Sequence, residues 1–591
     1  MQFLITVILC LALLFGAGGG TDAVPAMKTE TAGAQKQEMD AGAIRKGTEA
    51  QPEPNGALVP AYYRYDTASF EADCGRLAAC RDADEAVALY DELYEAYRQI
   101  ESLSTAAYIR YSDDVADEYW SAESVWSETA CADANDRLCT ACRAVMDGPC
   151  AGALRAHVGD EAADYFAAYE EYPAAMQELL ERESELVSEY YTALDAADRL
   201  EVEFQGRSWT MEDWSGEAGD ELYWDDYDAF TALREELMKA ANGSLGPIYL
   251  ELVELRGRIA ELAGYDNYAE YAYENVFCRD YGLEEAESFC EQVRQAVSGR
   301  YYNEVYYNES AAGYARADMD AGELLAALGD HAGQIGGVVA EAYDFMTENG
   351  LYDIGGGSGR MDGCYTTSFS ASGAPYIFLR LYGGSTDFYS MSHEFGHFVD
   401  ARLNPVPNAL ASGGSYDLFE IHSNGLEVLY TRFYDDIFGI GAERAEYGVL
   451  ADQLAGVIDG CVFDEFQRRI YEADELTLDD VNRIYSEVCA AFGEYDEAGE
   501  DYWWMYVPHN FESPMYYISY AASSLVALQL WDESREDYDR AVDDWLSIVE
   551  AGAYDKGYMQ VLSECGLQSF ADEGSVEAIC TPVLDYLAGI G

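Results

Sequence analysis

From Tyr62 to about Arg199 the apolar residues recur at three- and four-residue spacing, the period of a helix with one face turned to a core. Val87, Tyr90, Leu93, Tyr94 and Tyr97 form one such stripe, and Leu186, Val187, Tyr190, Tyr191 and Leu194 form another. A turn-rich break runs from Gly206 to Gly219, after which helical spacing resumes through Leu252, Leu255, Ile259 and Leu262. The texture changes after Gly350. Ile354 to Gly359 is glycine-rich and reads as a loop. Two runs of β type follow, Cys364 to Phe369 and Tyr376 to Tyr382, joined by Ser372-Gly373 as a small hairpin or sheet. Beyond them the pattern is helical to the C-terminus. The expected fold is mainly α, with a boundary near residue 205 between an N-terminal helical domain (58–205) and a larger domain (206–591).

Two segments stand before the first stripe. The apolar run Phe3 to Phe15 is short for a membrane span, which needs about 20 residues, and suits the core of a signal peptide. Residues 1–26 are therefore expected to be a signal peptide or an N-terminal anchor, and the protein to be exported, either secreted or held at the cell envelope. Cys10 follows Leu9 rather than a small residue, which argues against lipidation. Residues 27–57 are polar and nearly free of large apolar groups, the composition of a flexible linker. Membrane contact is expected only through the N-terminal segment, if it stays uncleaved.

Charge narrows the partners. The chain holds 111 acidic and 34 basic residues, a formal net charge of -77. Such a surface repels phosphate backbones, so nucleic acid is not expected as a partner; the charge reflects adaptation to the host or its medium, with attraction of cationic peptides as the alternative. In an oxidising compartment the clustered Cys131, Cys139, Cys142 and Cys150 are expected to form two local disulfides, with a structural zinc knot as the alternative. No βαβ pattern surrounds Cys139-Thr-Ala-Cys142, which disfavours a redox motif.

The chemistry lies in Met391-Ser-His-Glu-Phe-Gly-His-Phe-Val-Asp400. On a helix, positions i and i+4 share a face, so His393 and His397 can present two imidazoles to one metal ion. Glu394 then lies beside the ion, off the ligand line, placed to take a proton from a zinc-activated water. One Zn2+ suits imidazole and carboxylate ligands and leaves an open coordination position. A third histidine six residues after His397 would mark a different class of zinc peptidase, but that position is Leu403. After the Pro- and Gly-rich stretch Asn404 to Gly414, the segment Leu418 to Glu427 offers Glu420, His422 and Asp417 as third ligands. Glu427 shares a helix face with Glu420 and is either a hydrogen-bond acceptor for a ligand imidazole or an ordinary surface carboxylate.

His-Glu-Phe-Gly-His followed by Glu420-Ile-His-Ser-Asn-Gly-Leu-Glu427 resembles the M3 peptidases, the thimet oligopeptidase and oligoendopeptidase F group. Gly363 to Phe369 and Pro375 to Leu379 are similar to the strands before that family's zinc helix. Ala263 to Tyr271 resembles a helical segment of the oligoendopeptidases, and Pro508 to Tyr520 the family's His-then-tyrosines motif. The resemblance covers roughly 205–591, and the earlier helices share only its texture. It implies two helical regions flanking a deep cleft with zinc on its floor, short peptides as substrates, and Glu420 as third ligand. His509 and Tyr520, with Tyr516 or Tyr517, become donors to the oxyanion that forms when a peptide bond is attacked. The strand Tyr376 to Leu381 is expected to hold substrate backbone by β-addition. Two residues depart from the family pattern: Asp400 stands where His or Gln is usual, and His422 where a small or aliphatic residue is usual.

The expected activity is that of a zinc-dependent oligoendopeptidase. The alternatives are a peptidyl-dipeptidase of the angiotensin-converting type and a catalytically silent peptide-binding envelope protein. The charge carries its own prediction. Self-repulsion at -77 opposes the compact state, and added salt screens it. The thermal midpoint should therefore rise steadily as sodium chloride goes from about 0.05 M to about 1 M, a range over which the screening length falls several-fold. A flat or falling midpoint would show that the acidic side chains do not oppose folding.

Overall fold

The computed structural model describes residues 54–169, 174–306, 319–357, 359–411, 413–473, 475–493, 500–554 and 556–590. The signal-like segment 1–26 and all but the end of the linker 27–57 lie outside them. Among the described residues no helix is long and apolar enough to cross a membrane.

The acid-rich composition does structural work at helix starts. Asp66, Asp82, Asp117 and Asp320 each cap a helix, accepting backbone N–H groups of the first turn; Asp82 accepts from Asp84 and Glu85 at 3.1 and 3.0 Å. A carboxylate there satisfies donors that have no helical partner and meets the positive end of the helix dipole.

Helices Thr67–Ala79, Ala83–Asp113, Glu118–Met146, Ala151–Val158 and Asp160–Ala168 close a first core around Phe70, Leu89, Tyr90, Leu93, Tyr97, Leu138 and Phe166. The Ala174–Ala197 helix packs instead on the 37-residue Tyr227–Ala263 helix and belongs to the larger core of the remaining chain. Ala106 and Ile109, in the last turns of Ala83–Asp113, also enter that core, so this long helix spans the two.

The expected disulfides are not formed. Cys139, Cys142 and Cys150 are thiols buried among apolar side chains of the first core, joined there by Cys74 and Cys80. Cys131 and Cys139 lie on one helix eight residues apart, about 12 Å along its axis at a rise of about 1.5 Å per residue, beyond the reach of a disulfide. Burial pushes the Cys139 thiol up to about 12, so these sulfurs behave as small apolar groups. Nor do they make a zinc knot: among the described residues the His, Cys and carboxylate groups close enough to share a metal lie elsewhere.

A two-stranded ribbon (β1, Val202–Phe204; β2, Arg207–Trp209) fills part of the turn-rich break. The second sheet has three strands, with the last of them in sequence at its centre. The hairpin is present, β4 (Cys364–Phe369) running antiparallel to β5 (Ala374–Arg380) across a turn in which Gly373 takes φ +66°. The loop expected from Ile354 onward is partly a strand. β3 (Tyr352–Gly355) pairs parallel to β5, with Ile354 opposite Leu379, because a buried isoleucine and a free sheet edge outweigh the glycines that follow. β5 is consequently central and hydrogen-bonded on both sides, so the β-addition assigned to Tyr376–Leu381 is corrected: the edge strand beside the helix that carries His393 and His397 is β4.

The motif helix, Thr386–Leu403, follows β5 at once. Asp387 in its first turn accepts from the N–H groups of Tyr382 and Gly383, both at 2.9 Å, which ties the helix start to the strand end. The helix is buried along most of its length against the Tyr416–Tyr430 helix. Gly396 sets their separation, since a Cβ there would lie 2.5 Å from Ser423 Cα and 2.6 Å from the His422 carbonyl. Gly396→Ala should force the two helices apart and cost about 1–3 kcal/mol, read as a lowered urea midpoint. A wild-type midpoint would mean that this contact has slack.

Candidate metal and catalytic site

His393, Glu394 and His397 project from one stretch of the motif helix, and Glu420 comes from the first half of the helix facing it. Their ligand atoms close into a group: His393 Nε2 lies 3.5 Å and His397 Nε2 3.9 Å from the same Glu420 oxygen, and all lie within 4.8 Å of one another. A tetrahedral ion with bonds of about 2.0–2.2 Å sets its donors about 3.4 Å apart, so this His2Glu set is of the right type for zinc and would need to close in only slightly around it. His393 and Glu420 are buried, while His397 keeps some exposure.

Of the three candidate third ligands, only Glu420 lies in this group. Asp417 is one turn earlier and faces Arg279, with 3.7 Å between Arg279 Nε and Asp417 Oδ1. His422 points away to Asp400, their Nδ1 and Oδ1 atoms 3.2 Å apart, both side chains buried. The two departures from the family pattern are thus one contact, a pair that joins the motif helix to its neighbour. Asn404 also donates to Asp400 at 2.8 Å, and burial, which alone would raise the Asp400 carboxyl, is outweighed by these partners.

Glu427 is buried beside the other ring nitrogen of His393, with 3.5 Å between Nδ1 and Oε2. Gln453 Nε2 donates to the same oxygen at 3.3 Å. An acceptor there fixes the tautomer that leaves Nε2 toward Glu420. The surface-carboxylate reading of Glu427 falls.

The titration behaviour follows from this crowding. Burial opposes a charge on His393, yet the Glu420 and Glu427 carboxylates on its two nitrogens overcome it and hold the imidazole up at about 10. Burial and the neighbouring His393 bring His397 down to about 4. Burial would raise Glu420, but the hydrogen bond from His393, the charges of both imidazoles and the Tyr516 hydroxyl hold it down at about 2. Carboxylates and imidazoles buried against one another in this way suit a cation between them.

Glu394 is set apart from the ligands. Burial lifts its carboxyl to about 7, opposed by the His393 charge and by the hydroxyl of Thr366, which lies 2.8 Å from Oε2. Thr366 sits on β4, so the edge strand itself aims this carboxylate. Sequence reasoning marked the β4 segment but not Thr366; alternation along a strand shows which residues share a face, not which hydroxyl meets a carboxylate two elements later.

The His-then-tyrosines segment reaches the same place. Tyr516 donates to Glu420 Oε1 at 2.8 Å, so its hydroxyl is committed to the ligand carboxylate. Tyr520 Oη lies 3.4 Å from His509 Nε2, and Tyr520 remains partly exposed. Tyr517 packs edge-on against His509 and Phe463, with ring centroids 5.0 and 4.8 Å away. Burial takes the His509 imidazole down to about 4, which keeps it neutral near pH 7.

Residues 61–168 match the family model "Peptidase M3 N-terminal domain", within the region where the motifs carry only texture. A curated relative, oligopeptidase PepF of Bacillus subtilis (strain 168), is 24% identical over 255 residues; the match covers 39% of this chain and only 36% of that relative's length. Among solved structures, PZ peptidase A with a bound inhibitor superposes with a TM-score of 0.73 at 22% identity, covering 90% of this chain and 98% of that one. A chain from Bacillus anthracis str. Ames, provisionally named oligoendopeptidase F, does so with a TM-score of 0.69 at 21% identity, covering 90% and 97%. The likeness to the M3 peptidases carried by the motifs is thereby shown twice over, in sequence at the N-terminal domain and in fold across nine tenths of the chain.

Proposed function

We propose that this chain is a zinc-dependent oligoendopeptidase that hydrolyses short peptides, exported by way of its N-terminal segment. The observation that carries the reading is the convergence of His393, His397 and Glu420 into one ligand group with Glu394 poised beside it. Bound in that group, zinc would supply Lewis acidity toward a carbonyl and make a water molecule more acidic.

The protein's own groups account for the rest. Glu394 takes a proton from the attacking water and delivers it to the leaving amine as the C–N bond breaks and the new C–O bond forms. Its carboxyl, lifted by burial, suits both halves of that transfer. Tyr520, beside the neutral His509, supplies a donor to the oxyanion, and Tyr516 steadies Glu420 rather than the substrate. The free edge of β4 would align the peptide backbone next to Thr366 and Glu394. The helical regions on either side of these elements would form the walls of a cleft. The apolar N-terminal run supports export, and the net charge supports peptide rather than nucleic-acid partners.

Glu394→Gln should lower kcat on an internally quenched peptide by about 10³-fold or more while one zinc per chain remains bound, because it removes the proton carrier and no ligand. Persistent hydrolysis would rule out this general base. The same peptide blocked at its C-terminus separates the readings, since a peptidyl-dipeptidase would leave it intact and a silent binding protein would cleave neither form. Glu427→Gln should weaken zinc binding by about 10–100-fold in chelator competition, with little change in helix content. Unchanged affinity would mean that Glu427 does not orient His393.

A further inference from the structure

Three non-glycine residues among those described take a positive φ: Gln205, Cys278 and Met515. Gln205 belongs to the two-residue turn between β1 and β2, where such angles are usual. The other two meet at one side chain, that of Arg279.

Arg279 follows a turn of π-helix (Ala272–Val276) and the left-handed Cys278, and its guanidinium is buried. It lies over the rings of Tyr273 and Phe277, at 4.3 and 4.5 Å from their centroids. Nη2 donates to the Met515 carbonyl and to Ser519 Oγ, both at 2.9 Å, and Nε faces Asp417. From another element Gln467 Oε1 accepts the Met515 N–H at 2.5 Å, while its Nε2 donates to Asn510 at 2.7 Å. Both backbone polar groups of a left-handed methionine are therefore gripped by side chains distant in sequence. A strained conformation persists where its surroundings over-determine it, and such sites tend to carry function.

What this grip controls is adjacent. Tyr516, the next residue, donates to Glu420, and Tyr520, four residues on, stands beside His509. Asp417, the other end of the Arg279 contact, lies three residues before Glu420 on the same helix. We infer that Arg279 is a positioning residue: from outside the reacting centre it locks the Met515 turn to the Tyr416–Tyr430 helix, and so sets Tyr516 on the ligand carboxylate and Tyr520 beside His509. It acts through Met515, Ser519 and Asp417 and not on the peptide. The inference rests on the peptidase reading for its catalytic consequence and on geometry alone for its structural one.

The test uses the full-length protein with Arg279→Met, Arg279→Lys, Tyr516→Phe and Tyr520→Phe, together with Ser519→Ala, which removes the side-chain acceptor of Nη2 and leaves its backbone acceptors. Loaded with Co2+, both Arg279 variants should shift the visible spectrum in the same direction as Tyr516→Phe, reporting the altered Glu420. On the quenched peptide, kcat should fall about 10–100-fold with KM changed by less than about threefold. Arg279→Met combined with Tyr520→Phe should lose no more than the larger single variant, because the two act through one arm. A merely structural loss would multiply with Tyr520→Phe and leave the Co2+ spectrum of the folded fraction unchanged. Either result would overturn the inference. If the wild type binds Co2+ but cleaves no peptide, the peptidase reading fails while the spectra still decide the role of Arg279. If the Arg279 variants do not fold, Ser519→Ala decides it, with the same spectral shift and a several-fold loss expected.

Discussion

One imidazole, His393, is clamped between two buried carboxylates of the opposite helix, Glu420 on Nε2 and Glu427 on Nδ1. Two negative charges buried together in the interior of a protein are costly unless a cation answers them. The two carboxylates draw His393 toward its charged form, and the same geometry would suit a metal cation. Everything nearby follows from the need to bring these two helices close. Gly396 permits the contact, and Gly425 on the facing helix is equally confined, its absent Cβ directed at the Trp545 ring. Asp400 and His422 join the same pair of helices as a buried polar bridge, and Trp545 donates to the His422 carbonyl from behind.

The site is layered around that pair of helices. β4 aims Glu394 through Thr366 from one side. From another, the segment of His509 to Tyr520 lays Tyr516 on the ligand carboxylate, held by the grip on Met515. Few of these contacts are local in sequence, and each is buried or partly buried, where a hydrogen bond fixes geometry that water would otherwise blur. The acid-rich surface has a separate role. It caps helices and opposes association with polyanions, but the residues of the centre are charged for local reasons and would be so in a neutral protein.

Much of this was legible in the residue order. Helical spacing identifies the α-rich architecture because a buried face must recur every three to four residues. Histidines at i and i+4 with a glutamate between them make a specific pattern on a helix in a chain with six histidines. The hairpin before the motif helix is marked by β-branched and aromatic residues around Ser372-Gly373, and β4 has the expected bounds. Reading failed where meaning depends on a neighbour from elsewhere. Ile354 looks like the start of a glycine loop until β5 offers it an edge. The clustered cysteines look like a disulfide framework until one rigid helix holds Cys131 and Cys139 too far apart and the core buries them.

By itself, then, the sequence determined the helical class, the hairpin, and the two imidazoles with the glutamate between them, all encoded in spacings of a few residues. Spacing left Glu420, His422 and Asp417 open and only the resemblance pointed to Glu420; the packed structure places Glu420 with the two imidazoles, since the three candidates lie within one and a half turns of one helix and differ in what they face. It decided that Tyr516 serves a ligand while Tyr520 stands by His509, and that β4 rather than β5 keeps an open edge. It also brought Arg279 to Met515 across 236 residues. Periodicity says which side of an element is buried. Which partner waits there is a property of the packed chain.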